Sequence, residues 1–545
     1  MIKRIFYISA IIILSGQIFY GQQEEAPKDA KKQEMPKLEI PEITIVGKKV
    51  ITLPFAKKGE LYDVDIYKAP EPDSSLIEDR VSTALPSGVF PGYKERRRPF
   101  RLAVDGSVGS FAIAMFQTYF DYNALKWGFN GSGNYGRTSG HVKNADAAMT
   151  KIDINTYSLI NTDNEILKSL RLSGGLMYSH DRYGLFGIVD EKVERSRNQT
   201  AFNVMLGSIR KEGISADVGL TANILSIKDN SPANEIDMSA FTPSLNASFG
   251  ADVANIRWTS DLLYKSSSLD SKQDQSPSLI NLNARTQWYY DKWLILLGGV
   301  FADASSADEQ TSALIRPTAL IRWNINRGSE LSFWYQPDMK LTGYHEYINN
   351  IPYLERDIKI LPENSPLHLG SSYSYTSEKY SYEGRVSFSK ILNKSVVIAD
   401  SEKIFLNYIT ALQTIFQLNG SIKITQNLFA KATAVVQPTY EEGGSDQIPM
   451  IPLVKGKLTG EYSFDIPFTL SSTFEYWSGQ NIGLKSEYGK LDDVVLLGIG
   501  ASSRVLPRTL LSFEISNLLN TKYYWWKDYR APGIQFMLNA QVNVW

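Results

Sequence analysis

The chain contains no cysteine. That excludes disulfide staples, thiolate nucleophiles, cysteine-ligated zinc and the lipidated cysteine of a bacterial lipoprotein. Of 545 residues only four are histidine. His141, His180, His345 and His368 show no His-x-x-x-His spacing and no neighbouring carboxylate cluster, so they read as solvated loop residues and no metal is expected. A glycine-rich phosphate loop, a nucleophile elbow and a Ser-His-Asp order are missing as well, so neither catalysis nor a cofactor is expected. Nor is there an excess of one charge. Lys plus Arg number 57 and Asp plus Glu 58, a net of -1, which offers no basic field to nucleic acid. Long apolar runs are absent beyond the N-terminus, mean hydropathy is -0.22, and any membrane crossing must therefore be made by strands.

What is present begins with an export signal. Lys3 and Arg4 precede an apolar stretch over residues 5–14, followed by small and polar residues. This order predicts a cleaved secretory signal peptide over residues 1–21, whose apolar core is too short to span a bilayer. Residues 22–99 then carry nine of the 23 prolines, with 14 basic and 14 acidic residues. Proline at that density removes backbone donors and blocks helix interiors, so the segment reads as an extended periplasmic tail. Within it, residues 38–47 are β-branched and end at a glycine, a stretch suited to pairing with a partner's sheet edge. The run 94–98, Lys-Glu-Arg-Arg-Arg, reads as a solvated interfacial anchor.

From residue 100 the pattern alternates with period two. Tyr380, Tyr382, Gly384, Val386 and Phe388 share one face, whereas Glu383 and Arg385 lie on the other. Runs of roughly ten residues suit a tilted membrane strand. Tight connections, as at 123–124, 252–254, 290–292, 326–328, 425–427 and 465–467, alternate with longer ones, as at 137–148, 181–195, 266–276, 338–365 and 519–530. That alternation predicts an all-β, antiparallel, up-and-down transmembrane barrel of about 22 strands over residues 100–545, with both ends of the barrel on the periplasmic side of the bacterial outer membrane. Pro243, Pro317 and Pro452 fall in or near these strands and are expected at strand starts or bulges. The inward set Glu383, Arg385, Lys457, Glu461 and Glu514 mixes signs and implies a polar lumen without ion selectivity. Aromatic residues such as Trp288, Tyr290, Trp293 and Trp323 suit interfacial girdles that meet outer-membrane lipid, and Trp525 with Trp526 suggests a stacking platform for sugar.

Two stretches resemble a known family. Asn517, Leu518, Leu519, Asn520 and Tyr523, followed by Pro532, Gly533 and a closing strand ending at Trp545, look like the C-terminal end of TonB-dependent outer-membrane receptors. Residues 333–354 are similar to a mid-barrel segment and loop of the same family. The resemblance implies that a terminal aromatic strand is read by the barrel assembly machinery. It also implies that Glu42, Ile43, Thr44, Ile45 and Val46 form a TonB-box-like strand for TonB or another periplasmic partner. One departure matters: about fifty residues separate Val46 from the first strand, too few for the family's folded plug.

A barrel of about 22 strands, spaced about 4.8 Å apart and tilted about 40°, has a backbone diameter of roughly 44 Å. Something must close it, and inward-folded loops together with a plugging partner are expected. Two functions compete: transport of a solute across the outer membrane, or a scaffold that holds a partner protein without passing solute.

Overall fold

The computed structural model describes residues 100–544, apart from residues 125, 162–168, 188–192, 210–212, 231–234, 255, 271–274, 307–310, 356–357, 400–403 and 486–487. The signal peptide, the tail, the basic run 94–98, the strand Glu42 to Val46, and Trp545 lie outside the described residues.

The described chain forms a closed antiparallel barrel of 22 strands. Its first strand, Phe100–Gly109, pairs on one side with Ile113–Asn123 and on the other with the last strand, Gln535–Asn543, through Ala103↔Asn543 to Gly109↔Met537. Closure leaves no edge with unpaired backbone groups, the condition for strands to cross hydrocarbon. Connections at the end where the chain enters are two to seven residues long, and the longest, 336–362, 437–453, 478–493 and 517–534, lie at the other end, where short ones occur as well, at 231–234, at 400–403 and in the three residues that join the first two strands. There Phe111 and Ala112 take φ of 57° and 51°, which reverses the chain in minimal length.

Alternation sorts side chains as the period-two pattern implies. Phe202, Val204 and Leu206, with Leu220, Ile224, Leu458, Phe513, Phe536 and Leu538, expose their apolar side chains on the outer wall, the lipid-facing band of such barrels. The opposite parity is polar. Arg385 pairs with Glu383 at 3.0 Å, Lys457 with Glu475 at 2.7 Å and Arg285 with Asp261 at 3.1 Å. Opposite signs placed as neighbours cancel, so these pairs give the described wall no single-sign field.

Strand lengths are uneven. Strands near the seam hold 8 to 13 residues, whereas Glu235–Val253 holds 19, and Tyr380–Ala399 and Ile404–Lys423 hold 20 each. About ten residues at 40° tilt span the apolar band of about 25 Å, so the long strands rise beyond it.

Two prolines depart from expectation. Pro243 sits in mid-strand, in register with Ala222, and Pro317 in register with Gly299, without a bulge. At Pro243 the neighbouring strand is interrupted between Ser266 and Ser268, and Pro317 lies just past the end of the pairing that stops at Ala319↔Tyr335. Each missing donor thus falls where the next ladder is already broken. Pro452 precedes the strand that begins at Val454, as expected.

Candidate functional site

At the long-loop end inward-folded connections pack against one another and the wall across the lumen, an arrangement termed the seal below. It is built mainly from the connection between Ser329–Tyr335 and Glu363–Thr376, which turns inward and forms the short helix Tyr344–Asn350. The helix starts where Gly343, in extended conformation, donates its backbone N–H to Glu346 Oε2 at 2.7 Å. Its apolar side chains are packed, not solvated. Leu341, Tyr344, Tyr347, Ile348, Leu354 and Ile360 are almost fully buried against the wall residues Leu225, Ile227, Met238, Ala302 and Leu314. Fully burying one such aliphatic side chain is worth about 1.5–3 kcal/mol, so the cluster holds the loop inward.

Polar clamps fix where it sits. Arg195 is 2% exposed and is gripped bidentately by Asp229, at 2.7 and 2.8 Å. Its remaining Nη1 donates to the carbonyls of Pro352 at 2.9 Å and Leu354 at 2.8 Å. Asp229 pre-orients the guanidinium, and the planar fork then satisfies two loop carbonyls that would otherwise be buried without donors. Two residues further along the strand, Arg197 is held by Asp181 and donates to Asn349 Oδ1 at 2.8 Å and to Ile348 O at 3.4 Å. Lys265 reaches both Glu346 oxygens at 2.9 Å. Gln275 donates to Ile358 O at 2.9 Å and accepts from Ile360 N at 3.0 Å.

Other connections complete the closure. The outer hairpin around residues 391–409 packs Ala399 and Ile404 against the seal, while Val396, Ile409 and Ala411 pack against Ile448 and Ile451 of the next long loop. Leu354 bridges Ile404 in parallel, and Glu355 N donates to Ile404 O at 2.7 Å. A kink starts this hairpin: register shifts between Ile391 and Lys394, with Asn393 at φ 53°. From the last long loop, Tyr529 stacks on Tyr353 with ring centroids 3.9 Å apart.

The helix carries a histidine whose burial gives it an acid response. Burial pushes the His345 imidazole down to about 4, with Glu346 opposing and Lys265 adding to the shift. Glu346 is also depressed: burial alone would raise it, and the Lys265 and His345 charges together with hydrogen bonds from Lys265 and Gly343 outweigh that cost. At pH 7 His345 is neutral and adds no pH-dependent stability. Below its ordinary 6.5 the released loop takes up a proton that the docked loop refuses, so docking weakens until about pH 4. Glu346 contributes stability above its ordinary 4.5, and that is lost as pH falls through its lowered value. The fluorescence of Trp526, which is 1% exposed within the same cluster, should therefore report loosening on acidification from pH 6.5 to 4, and a His345→Gln variant should shift the transition to lower pH. An unchanged acid profile in that variant would refute the assignment.

The sequence-predicted family motif is assembled as one clasp at the base of the last long loop. Asn517 takes φ 49°, donates to Thr521 O at 2.9 Å and Pro532 O at 3.2 Å, and accepts from Thr521 N at 2.9 Å. Leu518 N donates to Leu497 O at 2.7 Å. Asn520, at φ 52°, accepts from Ile534 N at 3.2 Å, and a Cβ at Gly533 would collide with that same Asn520 oxygen, which accounts for the glycine. Tyr523 meets Trp477 edge-on at 5.7 Å, and Leu519 is exposed.

Some expectations are corrected. The histidines are not solvated loop groups: His345 is buried, His180 and His368 lie within strands, and His141 contacts Arg530 O at 2.6 Å. Trp526 cannot serve as an open stacking platform, because it is buried in the seal cluster. Trp334 bears on Arg385 at 5.7 Å, whereas Trp293 and Trp323 stack at 5.1 Å and Tyr290 is 76% exposed beside a tight turn, as a girdle requires. Sequence reading missed Arg195, Asp229, Arg197, Asp181, Lys265 and Gln275. The available signal was charge on the inward parity near the long-loop ends of strands. Among the described residues no group of three or more His, Asp or Glu is placed to hold a metal ion.

No protein-family model matches the sequence. No curated protein matches it either. Solved structures do. The FrpB iron transporter of Neisseria meningitidis (F3-3 variant) superposes with a TM-score of 0.67 at 9% identity, over 82% of this chain and 81% of that one. The copper transporter OprC gives 0.63 at 12% identity, over 82% and 81%. The ferric yersiniabactin uptake receptor FyuA of Yersinia pestis gives 0.63 at 8% identity, over 82% and 80%. At such identity the likeness is one of fold, and it agrees in strand number and closure with the barrel described above. The chain therefore has the closed 22-strand barrel fold of the TonB-dependent outer-membrane receptors.

Proposed function

We propose that the protein is an outer-membrane transporter that moves a solute through its lumen, with the inward-packed loop of residues 336–362 as the gate on the cell-surface side. The observation that carries this reading is the Arg195 clamp. The clamp joins a wall side chain to loop carbonyls through hydrogen bonds that a released loop can exchange for water. The fold supports the reading, since the similar structures are titled as transporters and an uptake receptor. In this scheme residues 1–21 direct export, residues 22–99 remain periplasmic, and Glu42 to Val46 pair as a strand with TonB or a similar energy-coupling partner. The barrel assembly machinery reads the closing strand that ends at Trp545. Loops, not a folded plug, supply the outer closure.

Single-channel recording tests the gate. Full-length protein should be silent, and Arg195→Met should give discrete conductance steps. Silence from both, with a second polypeptide co-purifying in stoichiometric amount, would replace transport by the scaffold role.

A further inference from the structure

Beneath the seal, six consecutive strands present a continuous uncharged row to the lumen. The strands are Trp127–Thr138, Ala147–Asn161, Ser169–Gly184, Glu194–Ser208, Ser215–Asn230 and Glu235–Val253. Their register lines up Asn130↔Asn155, Asn155↔Gly175, Gly175↔Asn203, Asn203↔Thr221 and Thr221↔Ser244. Parity places the row on the lumen side, since Asn203 is an even number of residues from Arg197, and Thr221 from Asp229. Asn203 lies six residues beyond Arg197, about 20 Å along the strand and away from the seal.

The row is organised. Asn155 Nδ2 donates to Asn130 Oδ1 at 3.5 Å and to Asp153 Oδ1 at 2.5 Å, and the Thr221 and Ser244 hydroxyls meet at 2.6 Å. Gly175 lets two amides close over its strand: a Cβ there would stand 2.5 Å from Asn155 Oδ1 and 2.7 Å from Asn203 Nδ2. Charged side chains next to it are hydrogen-bonded or paired, Asp153 to Asn155 itself. Asp121, opposite Asn130, accepts from Asn123 Nδ2 at 2.7 and 2.8 Å, and Lys265, opposite Ser244, is paired with Glu346. Asn203 is exposed, and Asn130, Asn155, Thr221 and Ser244 are half-buried, so the row still faces lumen water.

We infer that this amide and hydroxyl row is a binding surface for an uncharged, hydroxyl-rich solute of the saccharide class; the assignment rests on the transport reading and names its cargo. Such a solute exchanges hydrogen bonds to water for hydrogen bonds to amides and hydroxyls at little cost. An anionic solute would shed part of its hydration and meet no countercharge in the row, only the Asp153 carboxylate beside Asn155.

The test is saturation-transfer NMR on full-length protein in detergent micelles, with maltohexaose as probe and a sulfated oligosaccharide of equal length as control. Maltohexaose should bind and the sulfated sugar should not. Removing two amides with Asn155→Leu and Asn203→Leu should weaken binding about tenfold or more. Gly175→Ala keeps both amides but forces them apart, and should weaken binding too. No maltohexaose signal, or equal binding by all variants, would overturn the inference, as would a co-purifying polypeptide that cross-links to these positions in place of sugar. Sugar binding together with a conductance-silent Arg195→Met protein would remove the transport reading and leave the row as a binding surface.

Discussion

Replacing Arg195 with methionine accelerates hydrogen exchange at Ile351, Leu354 and Glu355 by roughly 10²–10³-fold, because breaking a buried ion pair by removing one partner costs about 3–5 kcal/mol. In the native seal these amides donate to Tyr347 O at 2.8 Å, Ile351 O at 3.0 Å and Ile404 O at 2.7 Å. Methionine fills much of the arginine stem's space, so the loss is one of hydrogen bonds and charge pairing more than of volume. It leaves the carbonyls of Pro352 and Leu354 without their donor and the Asp229 carboxylate, on a residue 5% exposed, without its guanidinium. A second variant separates these effects. Adding Asp229→Leu removes the stranded carboxylate and should recover overall stability, while the seal amides remain fast. Unchanged exchange in both variants would show that apolar burial alone holds the seal.

Asn517→Ala should destabilise the last long loop by about 3 kcal/mol, the sum of three lost side-chain hydrogen bonds and of alanine's reluctance to take a left-handed backbone. Asn517→Gly, which accepts φ 49° freely, should recover the backbone part and not the hydrogen bonds. The readout is limited proteolysis of residues 517–533 in micelles, with the heat-modifiable gel shift of the barrel as control. Cleavage at the native rate in Asn517→Ala would refute the clasp. Thr521 Oγ1, which donates to Val495 O at 2.6 Å, offers a milder version of the same test through Thr521→Val.

The barrel was legible because each of its determinants is local. Alternation within Tyr380–Ala399 is set by neighbours two apart, and the tight turns at 290–293 and 463–468 announce themselves by charge and proline between apolar runs. The C-terminal motif was legible as a pattern, and the structure supplies its reason in the left-handed Asn517 and Asn520 and the crowded Gly533. The seal was not legible in the same way. Its length marked residues 338–365 as a long loop, but its direction depends on Arg195, 157 residues away from Pro352, and on Gln275, 83 residues from Ile358. Hydrophobicity in that loop is as compatible with solvent-facing recognition as with burial, until the inward ends of Ser215–Asn230 and Glu235–Val253 are known to be apolar. Pro243 and Pro317 misled for a related reason: whether a missing donor matters depends on the neighbouring strand, which lies outside any local window.

A natural chain without cysteine permits the most direct test of the gate. Leu354 and Ile404 are β-bridge partners, so Leu354→Cys with Ile404→Cys sets two thiols within reach of a disulfide, at the point where Arg195 holds the loop. Placed in the Arg195→Met background, this pair should give single-channel steps under reducing conditions, fall silent on oxidation and recover when reductant is restored. Steps that persist unchanged through oxidation would contradict the claim that residues 336–362 close the lumen.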